Sequence, residues 1–119
     1  MPMTVPGRRQ ARLADQIRSE VAEMLAGELS DPRIGFATVT RVELTADLHH
    51  ARVLVSVMGG EEDQQKTFEG LSSAAGYVRR EVARRLGLRR VPDLVFVLDH
   101  GAEDGVKIES LLQKLKNDQ

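Results

Sequence analysis

Apolar residues in this chain repeat first with a helical period, then with a strand period, then with a helical one again, and that succession restricts the available folds. Leu13, Ile17, Val21, Met24 and Leu25 fall at i, i+4, i+8, i+11 and i+12, one stripe of an amphipathic helix from Arg8 to about Leu29. Asp31-Pro32 ends it, because the residue before a proline avoids the α region. Phe36 to Leu44 is rich in Val and Thr, and Ala51, Val53, Val55 and Val57 alternate with Arg52, Leu54, Ser56 and Met58. These are two strands, and the short polar link near 45–49 suits an antiparallel hairpin. Phe68, Leu71, Ala75, Val78, Val82 and Leu86 restore the helical stripe, broken at Ala74-Ala75-Gly76, where an interior glycine predicts two helices meeting at a kink. Gly87 caps the second of them, and Leu94–Leu98 forms a last strand, expected at the centre of the sheet. Ile108, Leu111, Leu112 and Leu115 predict a closing helix. The expected fold is an α+β two-layer sandwich of order α-β-β-α-α-β plus that helix.

A chain of 119 residues, 41% hydrophobic and 29% charged, suits one such domain, expected over 8–116 with a flexible 1–7 and a short tail at 117–119. Cysteine is absent, which excludes disulfide scaffolds and thiolate metal sites and fits a reducing compartment. No stretch approaches the ~20 apolar residues of a membrane span, so the expectation is a cytoplasmic protein with no membrane partner. The formal charge of −1 speaks against a nucleic-acid binder until it is placed along the chain. Arg8, Arg9, Arg12 and Arg18 against Asp15, with Arg79, Arg80, Arg84, Arg85, Arg89 and Arg90 against Glu81, carry +8 over 1–18 and 71–92. The acids gather elsewhere, notably at Glu61, Glu62, Asp63 and Glu69, so neutrality is a cancellation between regions.

Catalytic candidates are poor. His49-His50 stands near a turn, adjacent strand residues face opposite ways, and no spaced carboxylate–His motif accompanies the pair. His100 beside Asp99 lacks a Ser or Cys partner, and neither a phosphate loop nor a dinucleotide fingerprint occurs. No enzyme activity, metal or cofactor is expected. The arginines are more informative. Helical geometry turns Arg80 and Arg84 away from the Val78–Val82 stripe, sets Arg79 and Arg85 on its flanks with their heads reaching out, and leaves Arg89 and Arg90 beyond the cap. So many neighbouring guanidiniums suit a polyanion. With one Tyr and three Phe, phosphate and 2′-hydroxyl contacts on folded RNA fit better than base stacking.

Several blocks resemble the ribosome-binding factor A family: Asp31-Pro32-Arg33-Ile34-Gly35-Phe36, the Asp47-Leu48 turn, Val55-Ser56-Val57-Met58-Gly59, Ala74-Ala75-Gly76-Tyr77-Val78-Arg79, Arg89-Arg90-Val91-Pro92-Asp93-Leu94 and Ile108-Glu109-Ser110-Leu111-Leu112. The resemblance runs from about Arg8 to Leu115. It implies a type II KH-like fold with an Ala-x-Gly kink, here Ala74-Ala75-Gly76, in place of the usual G-x-x-G clamp. It further implies a non-catalytic, monomeric factor that binds the free small (30S) ribosomal subunit, but not joined 70S ribosomes. Such a factor would sit on 16S ribosomal RNA in the neck and decoding region, assist its late maturation including 5′-end processing, and support cold adaptation. The carried-over RNA contacts are Ala74, Ala75 and Gly76, the arginines at 79, 80, 84, 85, 89 and 90, and the N-terminal Arg8, Arg9 and Arg12. Many members have a longer, charged C-terminal tail, while this chain ends soon after Leu115. The competing expectation is a protein-interaction adaptor whose acidic 61–69 patch and basic helix hold two protein partners.

Overall fold

The computed structural model describes residues 7–100, so the helix expected near Ile108–Leu115 lies outside the described residues. Five elements follow in the order α1 (Arg8–Gly27), β1 (Ala37–Leu44), β2 (His50–Val57), α2 (Glu61–Leu86) and β3 (Asp93–Leu98). The stripe read for α1 is the buried one: Ile17, Val21 and Met24 are sealed from solvent. They meet Leu71, Val78 and Val82 of α2 and the inward residues of the sheet, Val39, Leu44, Ala51, Val53, Val55, Leu94 and Phe96. Both helices therefore cover one face of the sheet in a two-layer α+β domain. No helix among the described residues is long and apolar enough to cross a membrane.

β1 and β2 pair antiparallel from Ala37↔Val57 to Leu44↔Ala51, with a register shift between Val39 and Arg41. Their connection is held by Asp47, whose carboxylate accepts from the Thr45 hydroxyl at 2.6 Å and the His49 N–H at 2.9 Å. Leu48 takes a left-handed conformation (φ 63°) inside that turn.

Two expectations need correcting. Leu94–Leu98 is not central: the sheet order is β1-β2-β3, with β3 an edge strand parallel to β2. Its outward Val95 is 52% exposed, whereas β2, flanked by β1 and β3, buries Val53, Leu54 and Val55 in succession. Nor are there two helices between β2 and β3, because α2 continues through Ala74-Ala75-Gly76 as one 26-residue element. A single interior glycine costs about 1 kcal/mol relative to alanine. The buried Leu71 on one side and Val78 and Val82 on the other outweigh it. A helix of that length spans about 39 Å and supplies the crossover that parallel β2 and β3 require.

Acids at Glu61, Glu62 and Asp63 fill the first turn of α2, and Gly87 ends it in the left-handed conformation (φ 62°), as expected.

Candidate nucleic-acid interface

Three segments distant in sequence meet at one end of the molecule: the start of α1, the 45–49 turn, and the loop after α2. Each is tied down. Gln10 Nε2 donates to the Leu44 carbonyl at 2.6 Å, fixing α1 to the end of β1. The Asp93 N–H donates to the His49 carbonyl at 2.9 Å, fixing the loop before β3 to the hairpin turn. The cap at Gly87 reverses the chain, with the Leu88 N–H donating to the Ala83 carbonyl at 2.9 Å. That turn packs Leu88 against the core and leaves Arg89 and Arg90 exposed. Between the three segments lies a groove of about 670 Å³, with Leu13, Leu48 and Leu88 among its apolar lining and Arg9, Arg12, Arg89 and Arg90 along it.

None of those four guanidiniums has an ion-pair or hydrogen-bond partner among the described residues. The one carboxylate of the groove, Asp47, is held below its ordinary pKa by the Thr45 hydroxyl and then the His49 N–H, and so serves the turn. Four uncompensated cations on a fixed concave surface favour an anionic ligand.

The arginines of α2 divide. Arg80 and Arg84 point outward, as the helical geometry predicts; Arg80 is unpaired among the described residues, and Arg84 meets Glu81 at 2.8 Å. Arg79 and Arg85 do not reach out as expected. Arg79 donates to the carbonyls of Pro92 and Val91, both at 3.2 Å, and lies 3.5 Å from Asp93. It clamps the segment that follows Arg89 and Arg90. Arg85 is only 19% exposed and pairs with Glu28, with Glu81 at 3.3 Å and with Glu20 at 3.6 Å. The bond to Glu28, above all, raises its pKa further. Helical periodicity gave the flank position of both correctly, but their partners sit on other elements and leave no trace in local spacing.

Arg85→Ala would leave Glu20, Glu28 and Glu81 facing one another without a counter-charge, and should lower the thermal midpoint by about 5 °C. Arg80→Ala, with no partner to lose, should leave it within about 1 °C, and thermal melts followed by circular dichroism compare the two.

Arg8 is exposed at the first position of α1 but does not line the groove. Ala74 and Ala75 are half-buried against the core and Gly76 is exposed; a β-carbon at Gly76 would lie 3.6 Å from the Arg80 guanidinium. Gly76 therefore lies with Arg80 and Arg84 on the outer side of α2, about 15 Å along the helix from its C-terminal end, while Ala74 and Ala75 turn toward the core. The basic surface is thus a groove plus a separate ridge. Sequence reasoning places Leu13 on a helix stripe and Asp47 and His49 near a turn but not in a groove, and it does not single out Gln16 in the lining or Gln10, which ties α1 to β1. Only the parallel pairing of β3 with β2, which sets Asp93 opposite His50, brings the turn to the arginine loop. His49 and His50 are exposed and approach Asp47 and Asp93 at 3.6 and 3.9 Å.

The model of the family Ribosome-binding factor A matches residues 9–112. The chain belongs to that family. Ribosome-binding factor A of Caldanaerobacter subterraneus subsp. tengcongensis is 44% identical over 108 residues, covering 90% of this chain and 88% of that protein. The crystal structure of the Thermus thermophilus family member superposes with a TM-score of 0.69 at 30% identity, over 78% of this chain and 98% of that one. A Thermus thermophilus homology model fitted into the cryo-EM map of a 30S complex with ribosome-binding factor A gives a TM-score of 0.62 at 33% identity. It covers 74% of this chain and 92% of that one. The family's name makes this a ribosome-binding factor, and the groove is where its charge is concentrated without internal compensation.

Proposed function

We propose that this chain binds the free small ribosomal subunit by laying RNA phosphates across the Arg9–Arg12–Arg89–Arg90 groove and onto the Arg80–Arg84 ridge. The observation that carries this reading is the convergence of four unpaired arginines in one fixed groove, in a chain whose family includes a member fitted into a 30S complex. Gly76, with its neighbours Ala74 and Ala75, offers a place on the ridge where an RNA backbone can approach the helix closely, the part a KH-like clamp plays. Arg8 extends the basic arm. Arg79 and Arg85 act indirectly, by holding the arginine loop and the α1–α2 packing.

The factor works as a monomer in the cytoplasm and without catalysis. By binding one conformation of 16S ribosomal RNA at the neck and decoding region more tightly than others, it shifts the folding equilibrium toward that form. Late maturation, including 5′-end processing, and growth in the cold then depend on it, since a misfolded RNA escapes more slowly at low temperature. Joined 70S ribosomes are not its substrate. Co-sedimentation with separated ribosomal fractions tests this: the chain should enrich on free small subunits and not on 70S particles, and equal recovery in both, or in neither, would refute it.

A further inference from the structure

The end of the domain opposite the arginine groove has the reverse character. The hairpin is about 26 Å long, and its open end presents Phe36 and Met58, which face solvent at 81% and 77% exposure. They are cross-strand neighbours, joined by the Met58 N–H donating to the Phe36 carbonyl at 3.1 Å. Beside Phe36, a groove of about 410 Å³ runs between Leu25 and Ala26 of α1 and Ile34 of the following loop. Gly59, at φ 118°, turns the chain directly from Met58 into the first turn of α2 with its Glu61, Glu62 and Asp63. The nearest base in that helix, Lys66, is already engaged by Glu62 at 3.3 Å.

Two large apolar side chains side by side in water, next to an apolar groove, mark a contact surface, and methionine adapts to varied partners. The adjoining turn stays net negative after Lys66 offsets Glu62, with Glu61 unpaired among the described residues and Asp63 accepting from the Gly60 N–H at 3.3 Å, and that charge decides what the partner is. It repels an RNA backbone and attracts a cationic polypeptide. Resting on the reading above, we infer that the Phe36–Met58 end docks on a lysine- and arginine-rich protein segment of the small subunit that inserts an apolar side chain into the Leu25–Ala26–Ile34 groove. The factor then touches RNA with one end and protein with the other. That two-ended grip fixes its orientation, which the arginine groove alone does not do.

The test uses the full chain with Phe36 replaced by photoreactive benzoylphenylalanine, irradiated on purified free small subunits. The expected product is a ribonuclease-resistant cross-link to a basic peptide of a ribosomal protein. Cross-links to RNA, to a second copy or to residues 101–119 of the same chain would overturn the inference, as would none despite co-sedimentation. In parallel, the double variant Phe36→Ser, Met58→Ser should bind intact subunits about 10- to 100-fold more weakly and protein-free ribosomal RNA as well as the parent does. Both residues are exposed, so its melting temperature should be unchanged. Equal affinity of variant and parent for intact subunits, or equal losses on both ligands, would overturn the docking alone. Failure of the parent to bind subunits at all would overturn the small-subunit reading and this one together.

Discussion

Replacing Arg89 and Arg90 together by glutamate should weaken binding to free small subunits by about 100-fold or more and leave the fold intact. Both side chains project from the loop after Gly87 with no internal partner among the described residues, so nothing in the domain depends on their charge. On the proposed reading each substitution would remove a phosphate contact and add a repulsive carboxylate at the same place, and the losses would compound because the four cations line one groove. The variant's melting temperature should stay within about 2 °C of the parent's. The same exchange at Arg79 would differ: its guanidinium holds the Val91 and Pro92 carbonyls, so affinity and stability should fall together. Equilibrium binding by filter retention, with a thermal melt of each variant, separates the two classes.

Gly70→Val should be the most destabilising of the substitutions considered, by about 2–3 kcal/mol, or roughly 10 °C or more in thermal midpoint. An interior helical glycine is ordinarily a position where alanine stabilises by about 1 kcal/mol. Gly70 is the exception because the loop before β1 lies against it: a β-carbon there would stand 2.7 Å from Ile34 Cγ1 and 3.3 Å from Arg33 Cβ. That loop has little freedom to withdraw. One turn earlier the buried Thr67 hydroxyl accepts from the Gly35 N–H at 3.1 Å, and the Arg33 guanidinium is locked to Asp31, holding that carboxyl at about pKa 2. Gly76 supplies the contrast. It faces solvent and its nearest neighbour is the end of the Arg80 side chain at 3.6 Å, so Gly76→Ala should stabilise the isolated domain by about 1 kcal/mol. Urea titrations of both variants measure the two signs.

These glycines also show what the sequence makes legible. The stripes of α1 and α2 and the alternation of β2 identify the core, since burial of a repeating face follows from helical and strand geometry alone. The hairpin turn and the cap at Gly87 carry local signals and are found where those signals place them. Gly76 reads as a break because its cost is local, yet the helix continues, since the packing that offsets the cost comes from residues on both sides of it. Gly70 gives no local sign of its importance, because the Ile34 it must admit arrives from another element. The site divides in the same way. Composition places the arginines, and the resemblance names the ribosome. Which arginines remain available depends on Glu20, Glu28 and the Val91–Pro92 carbonyls, contacts that only the folded chain makes.

Neutralisation of RNA phosphates by the groove is tested most directly by the salt dependence of binding. Affinity for free small subunits, measured from low to moderate salt, should fall with a log–log slope to which the four groove arginines contribute about 3 and the Arg80–Arg84 ridge about 1.5, at roughly 0.7–0.9 per phosphate. The Arg89→Ala, Arg90→Ala variant should show a slope shallower by about 1.5. A parent affinity that does not change with salt, or a variant whose slope equals the parent's, would contradict the account.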